Sequence, residues 1–591
     1  MAPIDTDSAA GLEDVVFDFV VIGGGTSALV VANRLIEDPH VQVLVLEAGT
    51  NRLKDRRLMA PGLGIATYED PDFDWNFRSS PQEQLNGRQL LASQGRTLGG
   101  SSAINLGMVI YPSKVGMDAW EKLGNPGWGW DGVSPYIRKF HKAAAPSDEV
   151  RQFFQRMKYD LRDQGSDGPV QVSFGDQYMP YHGAWLETFK SLGYSQIEDP
   201  IKGAGTGPFV SPGAVDPITH TRSHAGAAYF GDSIQKRANL RVVTGALVEK
   251  LIFERRDGLF VATAVQVRKD GNTYNIPVKK EVILAAGATH TPHILDLSGI
   301  GNADLLRSHG IEPVVADGLP SGDMARDPAV AAAAMAAYQE DGSGPLGMVP
   351  LVSSFMPCLD FPPDERAQLL HILDIHNGGD ISPGRKKQFD ALRQIFQDPN
   401  EPTAQYILAP FQLLPREGPS LKGIFGLGHP GFFVSIVSLL SYPFSRGSVH
   451  LKSNDPTGSP MIDSGILRHP VDLELQARHS IWIEKIAEAE PMAPLLKTGG
   501  ARLHTAERLT NVHKAKELCK ELVLSMFHLS GTCAMLSRED GGVVDSKLRV
   551  YGTSNVRVVD ASLFPLEPRG NIQATVFAVA EKAADIIKQN A

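Results

Sequence analysis

At 591 residues, with 42% apolar and 21% charged side chains, the chain has a globular composition and enough length for large cores. A net charge of −10 and a pI near 6.0 argue against nucleic acid or an anionic membrane surface as the main partner. The longest apolar stretch, Gly431 to Leu440, is too short for the roughly 20 residues of a bilayer span, so no membrane span is expected.

The first residues, MAPIDTDSAAGLED, carry no basic start and no apolar core. Residues 1–13 therefore read as a flexible arm and not as a secretory signal. Three cysteines, Cys358, Cys519 and Cys533, and the lack of any Asn-x-Ser/Thr sequon favour an intracellular, reducing, cytoplasmic location.

From Phe17 to Gly49 the chain reads as strand, glycine turn, helix and strand. Phe17 to Ile22 is an apolar run suited to a strand buried on both faces of a parallel sheet. Gly23 and Gly25 follow, where turns without Cβ atoms let backbone approach a pyrophosphate at the positive end of a helix starting near Thr26. Ala28 takes the third fingerprint position. A second run, Val41 to Leu46, ends at Glu47, 24 residues beyond Gly23, where a carboxylate can accept hydrogen bonds from an unphosphorylated adenosine ribose. The fold class is therefore α/β, and the ligand a dinucleotide.

Further glycine-rich clusters occupy residues 95–118 (GRTLGGSSAINLGMVIYPSKVGMD) and 287–301 (GATHTPHILDLSGIG). Between them, Asn239 to Phe253 reads as two short strands with a turn at Thr244 and Gly245, and Glu281 to Ala286 as a buried strand. With these clusters the chain resembles the glucose-methanol-choline (GMC) family of FAD-dependent oxidoreductases. Arg96, Gly99, Gly100, Ser101, Ser102 and Asn105 fit its first signature, with Val109 departing from it. Gly287, Thr291, Pro292, Ile294, Leu295, Ser298, Gly299 and Gly301 fit its second. The likeness continues through SRGSVHL (445–451), FHLSGTCAM (527–535) and the C-terminal 556–587. It is poorest from Ser321 to His429, where SGDMARDPAVAAAAMAAY follows Leu319 and Pro320. The alanine run 329–337 reads as a plain helix.

The resemblance implies a Rossmann-like FAD-binding domain, discontinuous over 14–112, 212–318 and 536–591, interleaved with an α+β substrate-binding domain over 113–211 and 319–535. It also implies contacts to the cofactor: Thr26 and Ser27 at the pyrophosphate, Glu47 and Ala48 at the adenosine, the main chain of Val248 at the adenine, and Trp75 and Arg96 in the surrounding loops. Gly100, Ser102, Asn105, Leu106, Gly107 and Met108 would line the ring and ribityl chain, with Asp560 and Ala561 near the phosphates. Relatives with covalent flavin use a histidine in the first signature. Asn105 stands at the corresponding place, so the FAD is expected to be non-covalent.

By the same resemblance His528 is the general base, facing flavin N5 and taking a hydroxyl proton while hydride leaves the same carbon, although Leu529 replaces the usual proline or glycine. An imidazole suits the task because its ordinary pKa leaves it a free base near neutrality. Asn571 would hydrogen-bond the substrate oxygen, as a neutral donor beside the base. Its plainer role is capping the helix of roughly 572–588, whose positive end near Ile572 and Gln573 would stabilise charge on reduced flavin. The implied reaction is oxidation of a primary or secondary alcohol, aromatic or polyketide-derived, with oxygen or another acceptor reoxidising the flavin. The alternative is a cyclase or dehydratase that keeps FAD without net redox. His220 with His224, and His290 with His293, lack the glutamate of a metalloprotease arrangement, so no metal is expected. Cys533 reads as a packing residue.

Overall fold

The computed structural model describes residues 11–590 except 156, 197, 310, 312–337, 340–346, 350, 358–360, 378–380, 425–428, 430–432 and 498. The alanine run 329–337, Leu319, Pro320, Cys358 and most of the 1–13 arm lie outside the described residues.

The elements that carry the site are, in chain order, β1 (Phe17–Ile22), α1 (Thr26–Leu35), β2 (Val43–Leu46), α2 (Trp130–Lys139), β3 (Gly207–Val210), β4 (Leu240–Val243), β5 (Leu247–Arg256), β6 (Leu259–Lys269), β7 (Asn272–Leu284), α3 (Gly287–Leu297), β8 (Val352–Met356), β9 (Ala404–Ala409), β10 (Ser435–Leu440), β11 (Val556–Val558) and α4 (Gln573–Asn590). Seven strands form one sheet in the order β4-β2-β1-β7-β6-β5, with β11 also paired to β7. β1 is central and parallel to both neighbours, with Val21 opposite Val45 and Ile283. Every residue of β1 and β2 is buried, as their mainly apolar sequences suit strands covered on both faces, and the one charged member, Asp18, pairs with Lys279. At about 1.5–3 kcal/mol for each large side chain buried, this pair anchors the nucleotide half.

α1 starts directly after the Gly23–Gly25 turn and buries eight of its ten residues. It packs on α4, and Arg34 reaches the fully buried carboxylate of Glu581 at 2.7 Å, which also accepts from Tyr229 at 2.9 Å. The C-terminal helix thus closes the fold begun at Phe17.

One expectation changes. The strand after Gly245 is not short: β5 runs ten residues to Arg256, because it pairs along its length with β6 in an antiparallel meander. Trp120, Trp128, Val133, Ile137, Phe140, Val170 and Val172 join the same core as β1, β2 and α4. Their indoles are anchored there, Trp120 Nε1 donating to Leu566 O and Trp128 Nε1 to Ser546 O.

The second sheet is antiparallel, in the order β10-β9-β8-β3. One face of β9 packs Tyr406 and Leu408 against Trp185 and Trp482, and the opposite face presents Gln405, Ile407 and Ala409. Among the described residues no helix is long and apolar enough to cross a membrane.

Candidate active site

A cavity of about 2310 Å3 runs from the glycine turn after β1 to β9 and β10. Its nucleotide end is built mainly from backbone at close approach. Gly23 has φ 98° and Gly100 φ 53°, and a Cβ on Gly100 would lie 2.7 Å from the Cα of Gly25. Gly99 N donates to Gly24 O at 2.8 Å and locks the two glycine loops together. α1 begins with no side-chain cap, so its first amides are free, and Ser27 Oγ is buried there without a partner. These unsatisfied donors at a positive helix end suit a diphosphate.

Glu47 lines the same end, its carboxylate accepting from Gly24 N at 2.5 Å and Gly49 N at 2.7 Å. Complete burial pushes its pKa up to about 7, against those two bonds. Beyond it the wall continues through Asn105, Leu106, Gly107 and Met108. Asn105 Nδ2 donates to Gln573 Oε1 at 2.5 Å and its Oδ1 accepts from Gly107 N at 2.8 Å, which ties this loop to the start of α4.

His528 and Asn571 meet at the junction with the second sheet. Gly531, Cys533 and Met535 donate their amides to the carbonyls of Ala561, Ser562 and Leu563, laying the two segments side by side. The chain turns at Phe527 (φ 66°) just before the histidine, a left-handed conformation that costs a phenylalanine on the order of 1 kcal/mol. Asn571 Nδ2 then lies 3.3 Å from His528 Nε2. Behind it Gln405 Nε2 donates to Asn571 Oδ1 at 3.5 Å and to Ser353 Oγ at 3.3 Å, with Ser211 Oγ next in line at 3.2 Å. With its oxygen held by Gln405, the Asn571 amide presents its N–H groups to His528, and Nε2 is the acceptor. Burial lowers the His528 pKa to about 4, so the ring is neutral with a usable lone pair at physiological pH. Ile407, Ala409, Phe411, Val437, Leu439 and Phe527 supply an apolar lining nearby.

The structure brings together nearly all the residues expected from the sequence. Gly23, Gly25, Thr26, Ser27, Glu47, Ala48, Trp75, Gly100, Ser102, Asn105, Leu106, Gly107, Met108, Val248, His528, Asp560, Ala561, Asn571, Ile572 and Gln573 all line the cavity. Arg96 does not. Its guanidinium lies 4.8 Å from the ring centre of Trp75, and Nη1 donates to Pro71 O at 3.2 Å. Asp560 is engaged by the chain itself, accepting from Gly287 N, Thr291 Oγ1 and Ser562 N. Asn571 does not cap α4: its bonds go to His528 and Gln405, and the helix starts two residues later. His224 caps the short helix at Ala225–Tyr229, and His290 packs its ring against Trp75 at 4.1 Å. Among the described residues no three His, Cys, Asp or Glu side chains are grouped to hold a metal. Sequence reasoning missed Gln405 and the buried Arg222 behind Asn105. Neither belongs to a glycine cluster or a spaced motif.

Comparison with known proteins agrees with this geometry. Two GMC oxidoreductase family models match residues 17–320 and 443–580. A dehydrogenase of Monascus purpureus, mpl7, is 32% identical, covering 97% of this chain and 96% of its own length. Among solved structures, an FAD-dependent oxidoreductase from Chaetomium thermophilum superposes with a TM-score of 0.84 at 28% identity, over 97% of this chain and 99% of that one. A fungal aryl-alcohol oxidase does so with a TM-score of 0.79 at 26% identity, again over 97% and 99%.

Proposed function

The chain belongs to the GMC oxidoreductase family, whose cofactor is FAD, and on that premise we propose that it oxidises a primary or secondary alcohol to an aldehyde or ketone with His528 as general base. The observation that carries this reading is the His528–Asn571 pair, 3.3 Å apart in the cavity wall.

Gly23–Ser27, Glu47, Gly100 and Asn105–Met108 would hold FAD, which would supply the acceptor for the two electrons that leave the carbinol carbon. A hydroxyl entering between the paired side chains donates its proton to His528 Nε2 and accepts from Asn571 Nδ2. As the proton moves, Asn571 holds the oxygen without competing for it. Gln405 keeps the amide in the productive orientation, and the apolar lining excludes water from the developing charge. The nearby aromatic and aliphatic side chains favour an apolar alcohol, and the aryl-alcohol oxidase among the structural neighbours is in keeping with that preference.

Replacing His528 with Ala tests the assignment. The rate of flavin reduction by alcohol is expected to fall about 10²- to 10⁴-fold while FAD stays bound. A variant that reduces its flavin at the wild-type rate refutes the role.

A further inference from the structure

Arg222 is 3% exposed and forms no ion pair among the described residues. Its Nε donates to Leu58 O at 3.0 Å, Nη2 to Pro61 O at 3.0 Å, and Nη1 to the carbonyl of Asn105 and, at 3.3 Å, to Asn105 Oδ1. Two of the other deeply buried guanidiniums are paired, Arg557 gripping Glu281 with two bonds and Arg478 holding Glu365 and Glu474. Arg569, like Arg222, donates to carbonyls, those of Tyr111, Gly205 and Ala204, but it has the carboxylate of Glu401 near it. The groups acting electrostatically on Arg222 are the phenols of Tyr68 and Tyr338, neutral at physiological pH. Burial lowers its pKa only to about 10, so the charge persists.

A buried cation satisfied by carbonyls alone is an expensive way to tie loops together, since neutral donors would serve. Its position gives the charge a use. The guanidinium sits directly behind Asn105 and Gly107, in the stretch that lines the cavity, and the Asn105 side chain continues to Gln573 at the start of α4. Gly64 makes room for it, since a Cβ there would strike Nη2.

We propose that Arg222 sets the reduction potential of the bound flavin, a fixed positive charge behind the Asn105–Gly107 wall that favours the reduced cofactor. Reduction to the anionic form adds two electrons and one proton and leaves one extra negative charge, which a nearby fixed cation stabilises through a low-dielectric wall. This role rests on FAD binding alone and holds whichever substrate the site takes.

The test is equilibrium reduction of the holoenzyme by dithionite against a reference dye, with no alcohol present. Arg222→Gln is expected to shift the equilibrium toward oxidised flavin by about tenfold or more, about 30 mV for a two-electron couple. Arg222→Lys, which keeps the charge, is expected to stay within about threefold of wild type. A glutamine variant that holds flavin at an unchanged potential overturns the proposal, as does a lysine variant that shifts as far as the glutamine one. If the glutamine variant does not retain flavin, the lysine variant decides: a potential within about threefold of wild type supports the proposal, and a shift of about tenfold or more toward oxidised flavin overturns it.

Discussion

The two ends of the cavity are made of different materials. At the nucleotide end, backbone touches backbone: Gly100 against Gly25, Gly99 bonded to Gly24, an uncapped helix facing inward. At the opposite end, side chains from distant segments meet, with His528 from one loop, Asn571 from before α4 and Gln405 from β9. A site of the first kind tolerates almost no added atom. A site of the second kind tolerates substitution but depends on the order in which its polar groups point.

The contrast is sharpened first at Gly100. Its φ of 53° strains any side chain, and a Cβ would push into Gly25. With about 1–3 kcal/mol of strain before any displacement, Gly100→Ala is expected to weaken FAD affinity by at least tenfold to a hundredfold, measured by flavin retention on dilution. Wild-type-like retention would mean that the glycine loops are looser than their packing indicates. The same preparation shows how the cofactor is held, since denaturing the wild-type protein is expected to release all of its FAD into the supernatant.

At the His528–Asn571 end Gln405→Leu is the matching change. It keeps the volume of a residue only 1% exposed but frees the Asn571 amide to flip. Flavin reduction by alcohol is expected to slow about tenfold, with FAD affinity unchanged. Equal loss of affinity and rate would show that the two ends are not separable.

The smallest effect is in pH dependence. Because the folded protein holds His528 neutral down to about pH 4, the reduction rate is expected to vary less than about twofold between pH 6 and 9, with its acid limb near 4 and not near 6.5. The stability consequence has a definite sign. The unfolded chain protonates its histidines near 6.5, while His224, His290, His479 and His528 remain neutral in the fold. Acid therefore lowers stability as pH falls from about 6.5 toward 4, and alkali leaves this contribution unchanged. A thermal midpoint that rises across that window would contradict the burial of these rings.

This difference also explains what could be read in advance. Gly23, Gly25 and Gly100 are visible in a sequence because only glycine meets the backbone demand, and β1 and β2 because strands buried on both faces are mainly apolar, Asp18 being the exception. His528 and Asn571 were identifiable through the motifs around them. Gln405 was not: it is one polar residue on a strand in the most divergent stretch, and its importance lies in a contact across 166 residues. Arg222 was missed for a related reason, since its partners are carbonyls, which any residue can supply. The placement of residues 117–172 against α4 depends on where Trp120 and Trp128 dock, a tertiary choice with no local spacing to announce it.

If the His528–Asn571 pair serves oxidation of an alcohol, as proposed, an alcohol must reduce the bound flavin. The most direct test is anaerobic mixing of the purified holoenzyme with a panel of primary, secondary and aromatic alcohols while the flavin absorbance is followed. Bleaching by at least one alcohol, with the colour returning when an electron acceptor such as air is admitted, is the predicted result. A flavin that dithionite reduces but no alcohol bleaches would contradict it, and would place the same histidine in acid–base chemistry without net redox.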